Sequence, residues 1–346
     1  MWNSYKNGTL LKQTVQKIIS ERLPPNWVVT SSTEQLTVKT PNGKKVSFAL
    51  VSRKNIVPKD IPNLLRSNKS VPVLVITGFL SPRACELLIE YGASYLDRTG
   101  NLRLVASDPA IFLEGKGDAQ NPQREKRELK SLKGAAAGRV VRALCDFIPP
   151  YGVRALAELA PLPLGTTSRV VNLLEEEALL TRDDKKQIIS VDWPSLIVRW
   201  ARDYNVLTSN TVFTYIEPRT LPAFVEKLRK LGKNTRYAVT GSIAGPNTAP
   251  ARLAMIYVDD AESVAKELDL TPTESGANVW LLEPYDEVVF ERTQSIEYAS
   301  KPVISISMSQ LAVDLMTSPG RGPQEAQALI EQMKGTENAW RKPIRS

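Results

Sequence analysis

Histidine is absent from the 346 residues, and cysteine occurs only twice. The first absence removes the usual imidazole general base, every Ser-His-Asp or Cys-His arrangement and any zinc site that uses histidine. The second excludes a thiolate zinc site. Cys85 and Cys145 lie far apart in apolar helical contexts and read as buried free thiols rather than a disulfide. A carboxylate site for magnesium is the one common catalytic arrangement left open. No run of about 18 uninterrupted apolar residues is present. The start, Met1-Trp2-Asn3-Ser4-Tyr5-Lys6, lacks the charged-then-apolar layout of a signal peptide. The expectation is a cytoplasmic protein with no membrane partner.

What is present is an ordinary apolar fraction, 42%, enough for a sizeable core, and 24% charged residues. The length suits about two or three domains. A formal net charge of +8 fits a polyanionic partner, but the placement of that charge matters more than its sum.

The first block, 1–118, reads as alternating α and β. Leu10, Leu11, Val15, Ile18 and Ile19 have amphipathic helix spacing, stopped by Pro24-Pro25. A strand begins at Trp27. Strands at Leu36–Val38 and Val46–Val51 flank Pro41-Asn42-Gly43, a hairpin signal. A short helix over Pro58–Leu65 precedes an apolar strand at Val71–Thr77. Ser81 and Pro82 then open a helix reaching Tyr91. Strands at Ser94–Leu96 and Leu102–Val105 enclose Asp97-Arg98-Thr99-Gly100-Asn101. The order is α-β-β-β-α-β plus additions.

A linker follows over 119–133, with the charged stretch Arg124-Glu125-Lys126-Arg127-Glu128 and no apolar face. The middle block, 134–205, predicts helices at Arg139–Phe147 and Val153–Leu159. A third, capped by Thr166 or Thr167, runs to about Glu177. Leu179–Arg182 and Gln187–Val191 then bracket a polar tip, Asp183-Asp184-Lys185-Lys186, and a helix over Trp193–Tyr204 closes the block. The last block, 206–346, predicts strands at Tyr237–Thr240, Leu253–Val258, Asn278–Leu282 and Val288–Phe290. Its helices are expected at about 219–231, 261–268, 308–316 and 322–334.

Helix, helix, turn, helix and polar-tipped hairpin is the winged-helix order. A helix entering the major groove needs short polar and basic residues on its N-terminal, outward face. Thr166, Thr167, Ser168, Arg169 and Asn172 supply that set, and Val170, Val171, Leu173 and Leu174 the core-facing stripe. Lys185 and Lys186, flanked by Arg182, stand where a wing touches backbone or minor groove. Arg139 and Arg142 on the preceding helix could add phosphate contacts. Two plainer readings compete: the solvated faces of a small helical domain, and a winged helix that binds protein only.

Two segments look catalytic and lack the ligands for it. The order of the first block resembles the restriction-endonuclease-like fold, whose nucleases hold a metal with Asp on one core strand and Glu-x-Lys on the next. Here Leu50 and Ser52 occupy the expected Glu and Lys positions, and Glu34 is the only acid near the preceding strand. The cluster around Asp97 reads as a tight turn in which Asp97 and Asn101 satisfy backbone groups. Nucleic-acid contact by Arg98 and Arg103 is the other reading. In the last block, Thr240-Gly241-Ser242-Ile243-Ala244-Gly245 resembles the Gly-Ser opening of nucleotidyltransferases, but the following segment, Ala249-Pro250-Ala251-Arg252-Leu253-Ala254, has no Asp-x-Asp. Asp259 and Asp260 read as a helix cap. Glu283 and Asp286 are candidates for a third carboxylate, with Pro284 marking a turn. No metal and no cofactor is expected, and a binding protein is favoured over a nuclease or nucleotidyltransferase.

The last block carries the segments Thr240–Gly245, Pro250–Asp260, Ser275–Val279, Glu283–Phe290 and Gln310–Leu315. Together with the winged-helix pattern, over about residues 134–335, they resemble the AbiEi-type antitoxins of type IV toxin–antitoxin systems. The first block resembles the nuclease-like extension of long members, through Tyr95-Leu96-Asp97 and Gly100-Asn101-Leu102-Arg103-Leu104. The resemblance implies an autorepressor that binds double-stranded DNA, with a cognate toxin protein as a further partner. The expected architecture is α+β and multi-domain: a degenerate restriction-endonuclease-like α/β domain (1–118), a central winged helix (134–205) and a C-terminal nucleotidyltransferase-like α/β domain (206–346). A homodimer is left open: two-fold operators would suggest one, but no clean dimerisation heptad is present. A protein-binding scaffold is a third reading.

Overall fold

Strand β4, Val73–Thr77, is buried at all five positions, as a strand covered on both faces must be. In this computed structural model, which describes residues 8–66, 71–119, 131–232, 235–246 and 250–344, β4 is the middle of a seven-stranded mixed sheet. The strands preceding it are β1 (Val28–Ser31), β2 (Gln35–Lys39) and β3 (Lys45–Ser52). Those following are β5 (Ser94–Asp97), β6 (Leu102–Ser107) and β7 (Ala110–Gly115). Spatial order follows chain order; the β3–β4 and β4–β5 pairs are parallel and the rest antiparallel. The side-chain period of two sorts β4 between two cores. Leu74 and Ile76 join Val15 and Ile19 of α1 (Gly8–Ser20), while Val73 and Val75 join Ala84, Leu87 and Leu88 of α3 (Pro82–Glu90). A 3-10 turn at Pro58–Asp60 leads into the short helix α2, Ile61–Leu65.

Local signals explain the boundaries. Ser81 Oγ accepts from the Ala84 amide at 3.2 Å, capping α3. Gly43, at φ +87, makes the β2–β3 turn. β7 was not expected; its burial alternates, and it pairs with β6 along its whole length. Leu10 and Leu11 lie outside the residues whose side chains are described, and Met1–Lys6, the linker stretch Arg124–Glu128 and Ala249 lie outside the described residues altogether.

Contacts divide the chain into two compact units at about residue 128. Apart from Glu176–Ala178, the segments 134–205 and 206–344 therefore fall within one unit. Its helices α4 (Ala135–Asp146), α5 (Val153–Leu159) and α6 (Leu164–Glu176) precede a hairpin of β9 (Leu180–Arg182) and β10 (Ile188–Val191), and β8 (Phe147–Ile148) follows α4. Helix α7, Trp193–Ala201, is capped by Asp192, whose carboxylate accepts from the Ser195 amide at 3.2 Å.

After the short α8 (Val206–Ser209), a second seven-stranded mixed sheet is laid down by β11 (Thr211–Ile216), β12 (Tyr237–Thr240), β13 (Ala254–Val258), β14 (Thr271–Pro272), β15 (Val279–Glu283), β16 (Gln294–Tyr298) and β17 (Lys301–Ser305). Their order is β14-β11-β15-β13-β12-β17-β16. One face holds α9 (Leu221–Leu228) and α10 (Ala261–Glu267), meeting Ile256 and Leu281. The other presents Ala238, Met255, Tyr257 and Leu282 to a single core. That core also holds Val140 and Val141 of α4, Leu174 of α6, Trp200 of α7, Leu311 of α11 (Met308–Thr317) and Leu329 of α12 (Gly322–Gly335). Each large apolar side chain fully buried there contributes about 1.5–3 kcal/mol. The shared core is what joins the two segments.

The end of the chain returns to the helices. After α13 (Glu337–Trp340), β18 (Lys342–Pro343) pairs in parallel with β8. Arg341 donates to the Cys145 carbonyl at 2.8 Å and to Phe147 O at 2.7 Å, placing a cation on the last carbonyls of α4. Trp340 meets Trp193 edge to face, with ring centroids 4.9 Å apart.

The expected strand at Val288–Phe290 is a 3-10 turn, Glu287–Phe290, because the Asp286 carboxylate caps it through the Val288 amide. Both thiols are free: Cys145 is buried, and burial pushes the half-buried Cys85 up to about 11. Among the described residues, no helix is long and apolar enough to cross a membrane.

Candidate nucleic-acid interface

Helix α6 has two faces. Val170, Val171, Leu173 and Leu174 are buried, whereas Arg169 and Asn172 are exposed and Thr166 and Ser168 half-buried. The helix begins at Leu164, and the amides of Thr166 and Thr167 both donate to the Pro163 carbonyl. Neither threonine is the cap. Thr167 is also no candidate for groove contact: it is fully buried, and its hydroxyl donates to Pro163 O at 3.3 Å. That i−4 back-bond is the usual outlet for a threonine on the inner face of a helix.

The hairpin tip is exposed. Asp183 and Gln187 close it through their backbones, Asp183 Oδ1 accepts from the Gln187 amide at 2.8 Å, and Lys186 takes the left-handed conformation at φ 62. Lys185 and Lys186 form no ion pair among the described residues. The base of the hairpin is fixed by a bridge between Ile188 and Tyr151.

Arg182 does not reach outward as the expected flank of the tip. Its Nε donates to Glu175 Oε1 at 3.1 Å, and Nη2 bonds both Glu175 Oε2 and Asn172 Oδ1, the latter at 2.9 Å. The bond to Glu175 raises its affinity for the proton above the ordinary guanidinium value. Arg182 thus ties β9 to α6. It also orients Asn172: with Oδ1 accepting, the exposed end of that amide is its NH2 donor.

The arginines of α4 are placed elsewhere. Arg142 is completely buried and donates to the Val288 carbonyl, to Glu291 O at 3.1 Å and to Ser307 Oγ at 3.2 Å. Burial lowers its pKa, with Asp146 opposing. A side chain with no access to solvent cannot meet a phosphate, so the expected contact is corrected. Arg139 is half-buried and forms a two-point ion pair with Asp286, at 2.8 and 2.7 Å. Both arginines have partners that lie more than a hundred residues downstream, which no local pattern could signal. The sequence reading also passed over Arg154, exposed on the first turn of α5 and without an ion-pair partner among the described residues.

In the first unit, Asp97 is buried and accepts from the Thr99, Gly100, Asn101 and Leu80 amides, from Thr99 Oγ1 and from Asn101 Nδ2, all within 2.8–3.1 Å. Asn101 Oδ1 in turn accepts from the Gly117 amide at 2.9 Å, where a Cβ would lie 2.5 Å from Thr99 O. This is the tight turn that the sequence suggests. Arg103 stacks over Phe112 and pairs with Glu114 at 3.6 Å, and Arg98 has interactions of its own.

In the second unit, Asp260 caps α10 through Ser263, and Asp259 pairs with Arg236. Asp314 is a fully buried carboxylate of this unit. Tyr204 and Gln310 donate to its Oδ1, both at 2.8 Å; Tyr257 and Thr240 donate to Oδ2 at 2.9 and 2.8 Å. Burial nevertheless raises its pKa to about 6. Compared with family models, with curated proteins and with solved structures, the chain matches none.

Proposed function

We propose that the chain binds duplex DNA through residues 134–205 acting as a winged helix, with α6 in the major groove and the hairpin as the wing. One observation carries this reading. The solvent face of α6 and the hairpin tip together display Ser168, Arg169, Asn172, Lys185 and Lys186, and none of these cations is paired with a carboxylate among the described residues. Arg169 and the two lysines suit phosphate oxygens. Asn172, its amide oriented by Arg182, offers a donor for a base edge. Arg154 adds a basic group ahead of α6. On this reading the protein is a regulator rather than an enzyme, and the first and last blocks are scaffolds of restriction-endonuclease-like and nucleotidyltransferase-like kind. Autorepression and a cognate toxin rest on the resemblance to AbiEi-type antitoxins.

The test is duplex binding to DNA upstream of the protein's own gene across a salt series. Replacing Arg169, Lys185 and Lys186 together with Ala is expected to weaken binding. The slope of log K against log salt should flatten by roughly 0.9 for each phosphate that is no longer neutralised. An unchanged affinity and an unchanged slope would remove the winged-helix assignment.

A further inference from the structure

Between β13 and the start of α12 lies an open cleft of about 590 Å³, within the roughly 300–1,000 Å³ range of small-molecule sites. Ser242, Ser318, Arg252 and Arg321 supply its polar side chains, the Ser318 hydroxyl donating to Asp314 O at 2.7 Å, and Leu253, Met255 and Pro319 part of its apolar surface. Among the described residues no carboxylate lines it. Arg252 is exposed and has no hydrogen-bond or ion-pair partner among the described residues. Among the described residues Arg321, half exposed, makes only long contacts, 3.4 Å to Pro250 O and 3.6 Å to Glu325. The Ser242 hydroxyl donates to Glu325 Oε2 at 2.6 Å, which leaves it only acceptor capacity toward a ligand. The two guanidinium groups are the cations of this cleft, and their planar forks suit phosphate oxygens. The volume is far larger than one phosphate group, and Leu253, Met255 and Pro319 give it an apolar wall.

We propose that this cleft binds a small phosphorylated organic molecule, its phosphate held by Arg252 and Arg321 and its organic part lying on Leu253, Met255 and Pro319. None of these residues belongs to α6 or to the hairpin, so the proposal stands apart from duplex binding.

The experiment titrates the full chain with adenosine triphosphate, adenosine monophosphate, a hexose phosphate and inorganic phosphate, read by calorimetry and by melting temperature. Saturable binding of at least one organic phosphate is expected, tighter than that of inorganic phosphate and displaced by an excess of it. Arg252→Glu should weaken that binding at least about tenfold while leaving the melting temperature of the free protein unchanged, because Arg252 holds no partner among the described residues. If that variant misfolds, Arg252→Gln gives the same reading. Failure of every organic phosphate to saturate, inorganic phosphate binding as tightly as all of them, or indifference to the substitution at Arg252 would each overturn the proposal.

Discussion

Arg139 and Asp286, 147 positions apart, close a two-point ion pair in which the carboxylate is almost fully buried and the guanidinium is about one-third exposed. Beside it, Arg142 reaches the carbonyls of Val288 and Glu291 from the same helix. Two arginines that look from the sequence like phosphate contacts therefore hold α4 against the 286–291 segment.

Substitution at these positions should act on stability. Arg142→Met removes a buried cation and leaves two carbonyls and a hydroxyl short of a donor, at roughly 3–5 kcal/mol. Arg139→Ala strands the Asp286 carboxylate and costs less, roughly 1–3 kcal/mol, because water reaches one side of the pair. Chemical denaturation checks both values. Duplex affinity of the folded Arg139→Ala protein should match that of the parent.

Asp314 gives a pH dependence of defined sign. Its proton is held more tightly in the folded chain, at about 6, than at the ordinary carboxylate value of 3.8. The protonated form is therefore the one that folding favours. Its contribution is fully present below about pH 4 and is lost as pH rises through 6, by up to roughly 3 kcal/mol. The readout is the difference between parent and Asp314→Asn in unfolding free energy from pH 4 to 7. A difference that does not change with pH would refute the assignment.

Thr167 and Asn172 occupy opposite faces of α6, and their variants should part accordingly. Thr167→Val loses one internal hydrogen bond, about 1 kcal/mol of stability, with duplex affinity unchanged. Asn172→Ala should keep the fold and relax discrimination among DNA sequences by about 1–3 kcal/mol at one base pair. Binding to a panel of single-site variants of the target duplex distinguishes the two.

Asp97→Ala withdraws one carboxylate from six donors, four of them backbone amides. Each buried donor left without a partner costs about 1–3 kcal/mol, so the first unit is expected to unfold. Proteolysis or the loss of near-ultraviolet dichroism from Trp27 and Tyr95 would report it. Asp97→Asn keeps one acceptor oxygen and should be milder.

These relationships also show what a sequence can disclose. Ser81, Asp260, Pro41-Asn42-Gly43 and the bonds of Asp97 to residues 99–101 act within about four residues of themselves, and their roles were legible; the Leu80 and Gly117 contacts of that turn were not. So was the two-faced character of α6, because apolar residues at 170, 171, 173 and 174 mark the inner side. β16 and β17 were not legible: they pair near the end of the sheet order, with half-exposed faces, and carry little apolar periodicity. The fates of Arg142, Arg139 and Arg182 were hidden for a different reason. An arginine on a helix looks the same in sequence whether solvent, a carbonyl or a carboxylate awaits it, and only the fold brings Val288, Asp286 or Glu175 within reach. Asp314 was hidden likewise: Gln310 lies on its own helix, but Thr240, Tyr257 and Tyr204 come from β12, β13 and the loop after α7.

The core shared by α4, α6, α7 and the sheet face carrying Met255 and Tyr257 also bears on inheritance. A gene shuffled at the codon for residue 205 would part Tyr204 from Asp314 and Arg142 from Val288. It would expose Trp200 and strand a cation in one half and a carboxylate in the other. Exchange of residues 134–205 for another segment would then demand a matching sheet. The helices of 134–205 and the sheet of 206–344 would then be inherited together, and on the proposed duplex-binding reading new specificity would have to arise by substitution on the outer face of α6 and at the hairpin tip.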